Sequence, residues 1–470
     1  MKKLICLTLV IFVLFIGVGC KPSESKISTY EIKAEYLDNG VIGAHLAFNY
    51  VCDIKEGISV LAFNLFANAF RKDANITPIE GEEKTYGQME IISVYNGDKK
   101  LDFEICGKDE NILKVSLPNL VCYGESFLVN VEFGVVLPSG NYRLANGVNT
   151  VNVGNWYPTL CVFENGNFYE CEYYKVGDPF YQKVANYKIE LIVPSTFVVG
   201  ASGKATSCDV DGGKTKYSYS LEKARDFSFC LSQKYNVLSE ESNGVLVNYY
   251  YYNDGEPEKT MEITKRALEY FSQKFCSYPY ESFSVCQSNF NEGGMEYTGL
   301  VYVNDSLNLT NKLYTTVHEI AHQWWYGLVG NNQLIEGYID EGLTEYSTAI
   351  FFDENREFNV DADLIFKNAK ISCQNYKELL SSIGKSPNLK MNKHLSEYEG
   401  DLEYVNACYN RPLTMMKTLE DAIGRERVVS TLKGIAEKNK YQIITTQTLL
   451  KAFNLHSKLL SSYINGEAVI

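Results

Sequence analysis

Two of the chain's five histidines flank a glutamate in the run Thr316-Val317-His318-Glu319-Ile320-Ala321-His322-Gln323-Trp324-Trp325. On a helix, a separation of four residues offsets two side chains by about 40° around the axis and roughly 6 Å along it. Both imidazoles then share one face, one turn apart, where they can reach a single metal ion. Glu319 sits beside such an ion rather than on it, placed to take a proton from water. In a chain this poor in histidine a chance His-Glu-x-x-His is improbable, on the order of one percent or less. Eighteen residues beyond His322 comes Glu341, within Gly337-Tyr338-Ile339-Asp340-Glu341-Gly342-Leu343-Thr344-Glu345-Tyr346. Alone, Glu341 reads as an exposed carboxylate at a helix start; at this distance from the pair it reads as the third ligand. A His, His, Glu set leaves one position for water, the catalytic rather than the structural zinc pattern.

Such a site needs two helices and a short connection. Val317, Ile320, Ala321, Trp324 and Leu328 repeat at helical spacing, and Asn308 or Thr310 can cap the start. Gly327 and Gly330 with Asn331 and Asn332 predict the end of the first helix, and a second is predicted to begin near Asp340. Upstream, Pro257 suits the first turn of a helix whose apolar face is Ile263, Ala267, Phe271 and Phe275. A strand over 282–288 leads into the glycine-rich segment Gly293-Gly294-Met295-Glu296, and another follows near 300–303. A glycine-rich edge strand lets a substrate backbone approach closely and pair with it. Downstream, 361–380, 404–423 and 425–437 read as helices, with Tyr409 on the second. From residue 27 to about 246 the chain reads as sheet: Tyr30, Ile32, Ala34 and Tyr36 alternate, and Asp38-Asn39-Gly40, Asn96-Gly97 and Asn165-Gly166 mark hairpins. This fits a β-sandwich.

The zinc set resembles the signature of the alanyl aminopeptidase-type gluzincin metallopeptidases. Gly293-Gly294-Met295-Glu296-Tyr297 is similar to that family's Gly-x-Met-Glu-Asn exopeptidase motif, with Tyr297 in place of Asn. Tyr409-Asn410-Arg411-Pro412-Leu413 stands where the family commonly reads Tyr-x-Lys-Gly, and Pro412 is expected to disturb its helix. The resemblance implies an N-terminal β-sandwich followed by a thermolysin-like catalytic domain, one Zn2+ per chain on His318, His322 and Glu341, and Glu319 as general base. It further implies that Tyr409 donates to the oxyanion of the tetrahedral intermediate and that Glu296 holds the substrate's α-amino group. Asp340 and Glu345 are the acidic candidates for orienting the histidines. No counterpart of the family's amine-assisting glutamine is evident in the N-terminal half. Asn155-Trp156-Tyr157-Pro158 and Gly177-Asp178-Pro179-Phe180 also resemble family landmarks, and both read as structural turns. With few residues after Tyr409, the cleft is expected to be open to longer peptides.

A net charge of −14 argues against nucleic acid as a partner and against docking on an anionic membrane through a basic face. Lys2, Lys3 and the apolar run from Leu4 to Gly19 read as a secretory signal (1–19). Gly17-Val18-Gly19-Cys20 resembles a lipobox, so Cys20 is the expected lipidated residue, followed by a polar tether (20–26). Eleven further cysteines show no C-x-x-C pair, and free thiols are expected. The domains are expected at 27–246 (sandwich) and 247–470 (catalytic, with a short helical C-terminal part). The expected function is a zinc aminopeptidase acting on peptides at the cell surface, an exported lipoprotein held to the membrane by its N-terminal lipid. A gluzincin endopeptidase and a non-catalytic peptide-binding lipoprotein are the alternatives.

Overall fold

The computed structural model of the protein describes residues 27–37, 39–74, 86–468 and 470. The expected signal, lipidated Cys20 and tether lie outside the described residues, as does Asp38 of the first hairpin.

Alternation in the N-terminal half becomes a sandwich. An eight-stranded sheet runs in the order Lys204–Asp211, Lys214–Ala224, Ala185–Pro194, Thr29–Tyr36, Val41–Val51, Ser126–Val136, Gln88–Asn96, Lys99–Lys100. Only Thr29–Tyr36 with Ala185–Pro194 is a parallel pair in it. Tyr30, Ile32, Ala34 and Tyr36 are its buried face. Two four-stranded sheets close the other side. Trp156 spans the layers, packing edge-on against Phe229 of one small sheet and tilted against Phe133 of the large one. Its indole N–H donates to the Phe227 carbonyl at 3.1 Å, which satisfies the polar end of a fully buried ring. The turn at residues 155–158 is thus structural, as the sequence suggests.

The second half is built on a five-stranded sheet in the order Asn236–Ser242, Val245–Tyr251, Ser282–Ser288, Leu300–Asn304, Gly294–Met295. The boundary expected at 246/247 therefore falls inside a strand. Residues 236–251 pair with one another and, in parallel, with Ser282–Ser288, so they belong to this sheet and not to the sandwich. Strand alternation alone cannot say which sheet a hairpin joins.

Nine α-helices of the described residues follow. α1 (Pro257–Lys274) has proline in its first turn. α2 (Leu309–Ala321) is capped by Asn308, whose side chain accepts from Asn311 N, and α3 (Gln333–Glu354) is capped by Asn332. Next come α4 (Ala362–Ser382), α5 (Asp401–Val405), α6 (Arg411–Ile423), α7 (Arg425–Lys438), α8 (Thr446–Ala452) and α9 (Ser457–Ile464). Two helix boundaries differ from expectation. α2 stops at Ala321 instead of running on through Leu328, because the chain widens into i→i−5 bonds from Gly327, Leu328 and Val329. At its centre Tyr326 sits at φ +146°, its carbonyl taken by the buried Arg225 guanidinium. α3 starts seven residues before Asp340, through a first turn set off by a non-helical Glu336 (φ −135°, ψ 35°). Among the described residues no helix is long and apolar enough to cross a membrane, and the eleven described cysteines are free thiols.

Candidate metal centre and cleft

α2 ends at Ala321 with His322 as its C-cap, and α3 packs against it, so the sheet face, the two histidines and residue 341 meet in one cavity of about 300 Å³. His322 Nε2 lies 3.1 Å from His318 Nε2, and Glu341 Oε2 lies 3.3 Å from each. Four tetrahedral ligands at about 2.0–2.1 Å from a zinc ion stand roughly 3.4 Å apart, so this triangle has the right edge. The tautomers fit as well. His322 Nδ1 is 2.9 Å from the Trp325 carbonyl, and His318 Nδ1 is 3.0 Å from Glu345 Oε1. His322 thus donates from Nδ1 and can turn its Nε2 inward, and the Glu345 carboxylate beside His318 Nδ1 favours the same tautomer there. Two facing lone pairs and a carboxylate oxygen, all buried, make a donor set that only a cation satisfies. Burial works against an imidazolium at His322, yet Glu341 and Glu296 raise its pKa to about 10, so a proton is held there unless a cation takes its place.

Of the two acidic candidates for orienting the histidines, Glu345 takes the role and Asp340 does not. Glu345 sets Oε1 beside His318 Nδ1 as an ion-pair partner and, through Oε2, accepts from the Tyr314 hydroxyl at 2.6 Å. Asp340 instead accepts from the side-chain amides of Asn331 (2.8 Å) and Gln333 (2.6 Å).

Glu319 stands beside the ligands, against the edge strand. A Cβ on Gly294 would lie 2.4 Å from Glu319 Oε1, so glycine is what lets the strand and the carboxylate meet. Burial, opposed by the two histidines, pushes the Glu319 carboxyl up to about 7. Among the described residues Gly294–Met295 pairs with one neighbour and leaves its outer edge to the cleft. The turn after it is fixed to the end of α2, since Gly299 N donates to Gln323 Oε1 (2.8 Å) and Gln323 Nε2 to the Tyr297 carbonyl (3.1 Å). That clamp holds Glu296, which lines the cavity with Gly293, Gly294 and Met295. Burial, then the nearby Asp178 carboxylate, raises the Glu296 pKa well above the usual range. Tyr297, the departure from the motif, points away from the cleft. Its hydroxyl reaches Asn155 Oδ1 at 3.3 Å and occupies the space that a Cβ on Gly154 would need. It wedges the two halves together.

Tyr409 reaches the site from the C-terminal helices. Its hydroxyl donates to Glu341 Oε1 at 2.6 Å, and its ring stacks on His318. It sits on a π-helical turn, residues 406–410, immediately before α6. Pro412, in the first turn of α6, has no N–H to continue the regular ladder, which accounts for the wide turn.

Three contributors escaped the sequence. The turn at 177–180, read as structural, forms a wall of the cleft: Gly177 at φ +69° fits against the Tyr404 ring and turns Asp178 inward, where it pairs with Arg143. Arg143 in turn lies over the Phe180 ring at 5.1 Å. Gln333 is the third. No local periodicity marks any of them; Arg143 and Asp178 reach the cleft from the other half of the chain, and Gln333 reaches it across a kink in α3.

Residues 259–465 match the model of the Peptidase family M1 domain. Aminopeptidase N of Mus musculus is 27% identical over 136 residues, which is 25% of this chain and 14% of that protein. Aminopeptidase N of Oryctolagus cuniculus is 24% identical over 253 residues, 49% of this chain and 26% of that protein. The aligned part thus spans well under a third of these relatives' length. Over nearly the whole chain the fold is that of an M1 zinc metallopeptidase from Deinococcus radiodurans, at 13% identity and a TM-score of 0.69, covering 94% of this chain and 95% of that one. A mutant of that metallopeptidase, solved with a Tyr-Ser-Ala substrate bound, aligns at 12% identity with a TM-score of 0.65 over 94% and 95% of the two chains.

Proposed function

We propose that this chain is an alanyl aminopeptidase-type gluzincin, a zinc-dependent aminopeptidase releasing N-terminal residues from peptides. The observation that carries this reading is the triangle of His318 Nε2, His322 Nε2 and Glu341 Oε2, with Glu319 and a free strand edge in the same cavity. Zinc held by those three residues supplies Lewis acidity, polarising a substrate carbonyl and acidifying a water. The peptide pairs its backbone with Gly294–Met295, which lays its first residues across the cavity. Glu296 accepts the α-ammonium through a charge-assisted bond and so sets which peptide bond lies over the ligands. Glu319 takes the proton of the attacking water and delivers it to the leaving nitrogen. The Tyr409 hydroxyl serves two acceptors in turn, Glu341 at rest and the developing oxyanion during attack. The tripeptide held by the Deinococcus radiodurans mutant supports small peptides as the substrate class.

The test is zinc content together with hydrolysis of paired peptides, one with a free amino terminus and one acetylated. The free peptide should be cleaved in preference, and equal rates would point to an endopeptidase. Glu319→Gln should keep its zinc and lower kcat by about 10²–10⁴-fold; an unchanged rate would overturn the general-base assignment. Export and anchoring through Cys20 accompany the proposal, supported by Lys2, Lys3 and the apolar run before Gly19. Radiolabelled palmitate incorporated by the wild type and not by Cys20→Ser would bear this out.

A further inference from the structure

Gln333 belongs to none of the motifs, yet its side-chain amide stands at the centre of the acidic half of the site. Nε2 donates to Glu296 Oε1 at 3.2 Å and to Asp340 Oδ2 at 2.6 Å. Among the described residues no other hydrogen-bond donor reaches Glu296, a residue only 4% exposed. Glu296, His322 and Asp340 bring one ligand atom each within 4.8 Å of one another. Two buried carboxylates at such a spacing repel unless a donor stands between them. The neutral amide is that donor, and it serves both from one nitrogen, so the place of one carboxylate fixes the place of the other. The reverse amide orientation would set its carbonyl oxygen against two carboxylates.

The helix geometry exists to put the amide there. In a straight helix, residues seven apart lie about 10 Å apart along the axis. Here residues 333 and 340 bond directly, because the first turn of α3 is swung off its axis at Glu336. Asn331 Nδ2 holds the Glu336 carbonyl at 3.0 Å, and Glu336 Oε1 accepts from Thr446 N, at the start of α8, at 2.9 Å. The kink is anchored from both sides.

We propose that Gln333 is a positioning residue for amine recognition: by holding Oε1 of Glu296 against Asp340, it presents the second oxygen of Glu296 to the α-ammonium of the peptide. This rests on the reading of Glu296 given above. The experiment uses the full zinc-loaded protein, with kcat and KM measured on an aminoacyl anilide and on its N-acetylated counterpart. Gln333→Met, which has no donor, should raise KM for the free amine by about tenfold or more and leave kcat/KM on the acetylated substrate unchanged. Zinc content should stay at one per chain. Gln333→Asn, one methylene short, should fall between, and it carries the same comparison should the methionine variant fail to fold. In a Glu296→Ala background Gln333→Met should have no further effect, since its action runs through that carboxylate. The proposal is overturned if the variants keep the free-to-acetylated preference within about twofold of wild type, or if the two substitutions act independently. A wild type that cleaves both substrates alike strikes down the aminopeptidase reading itself; variants that still discriminate as the wild type does strike down Gln333 alone.

Discussion

At the scale of single residues, the site is a set of carboxylates given different tasks by their neighbours. Glu341 turns one oxygen to the histidines and the other to Tyr409, and the charge facing it holds its carboxyl well below the usual range in spite of burial. Glu319 has no such donor and is pushed up by burial. Glu345 does neither; it fixes a ring. Its charge beside His318 Nδ1 favours the tautomer that offers Nε2, and Tyr314 holds its second oxygen in place. Glu345→Ala should therefore weaken zinc binding by about 10–100-fold, read by chelator competition, with little change in kcat once zinc is saturating. A fall in kcat at full zinc occupancy, with affinity unaltered, would assign Glu345 to the chemistry instead.

At the scale of elements, two glycines set how closely the parts of the site approach. Gly294 lets the edge strand lie on Glu319, and Gly342 lets α6 lie on α3. A Cβ on Gly342 would stand 2.4 Å from Pro412 Cβ, and Pro412 follows the π-helical turn that carries Tyr409. One contact thus governs where the Tyr409 hydroxyl falls. Gly342→Ala should destabilise the protein by about 1–3 kcal/mol in urea unfolding. By displacing α6 it should also lower kcat more than it raises KM. Retention of full kcat would show that Tyr409 tolerates the shift. Arg411-Pro412, in place of the family's usual Lys-Gly, belongs to the same arrangement: the Arg411 guanidinium donates to the Tyr463 and Ala468 carbonyls and ties α6 to α9.

At the scale of the whole molecule, the halves are joined by buried polar groups as much as by apolar ones. Arg225 donates to the carbonyls of Gln182 (2.9 Å), Gln442 (2.8 Å) and Tyr326, stitching sandwich, C-terminal helices and the loop after the histidines. Next to it, Asp226 accepts from Thr298 N at 2.9 Å and from the Tyr326 hydroxyl. Burial raises the Asp226 carboxyl from its ordinary 3.8 to about 6, in spite of those donors. A folded-state pKa above the unfolded one means the folded chain holds the proton more tightly. The associated stability is complete below about pH 4 and is lost as pH rises through 6. Two units correspond to about 3 kcal/mol over that window. Asp226→Asn should flatten the stability profile between pH 4 and 6 in denaturant titrations; an unchanged slope would place the titration elsewhere.

The residues that act through local spacing were readable in the chain. A four-residue interval on one helix brings His318 and His322 onto one face whatever surrounds them, and Glu319 follows from its place between them. Alternation in Thr29–Tyr36 gave the sandwich face for the same reason, since the period of a strand is a property of its own backbone. Glu341 was legible through its distance from the pair, and Glu345 as one of two acidic neighbours. Tertiary structure alone decided which acid met which ring, that Tyr409 rests on Glu341, that Asp178 and Arg143 wall the cleft, and that a kink brings Gln333 to Glu296. Those contacts join residues tens of positions apart, and their partners are chosen by burial and by the need to satisfy buried charge. Neither requirement leaves a period in the sequence, so neither could be read before the chain was folded.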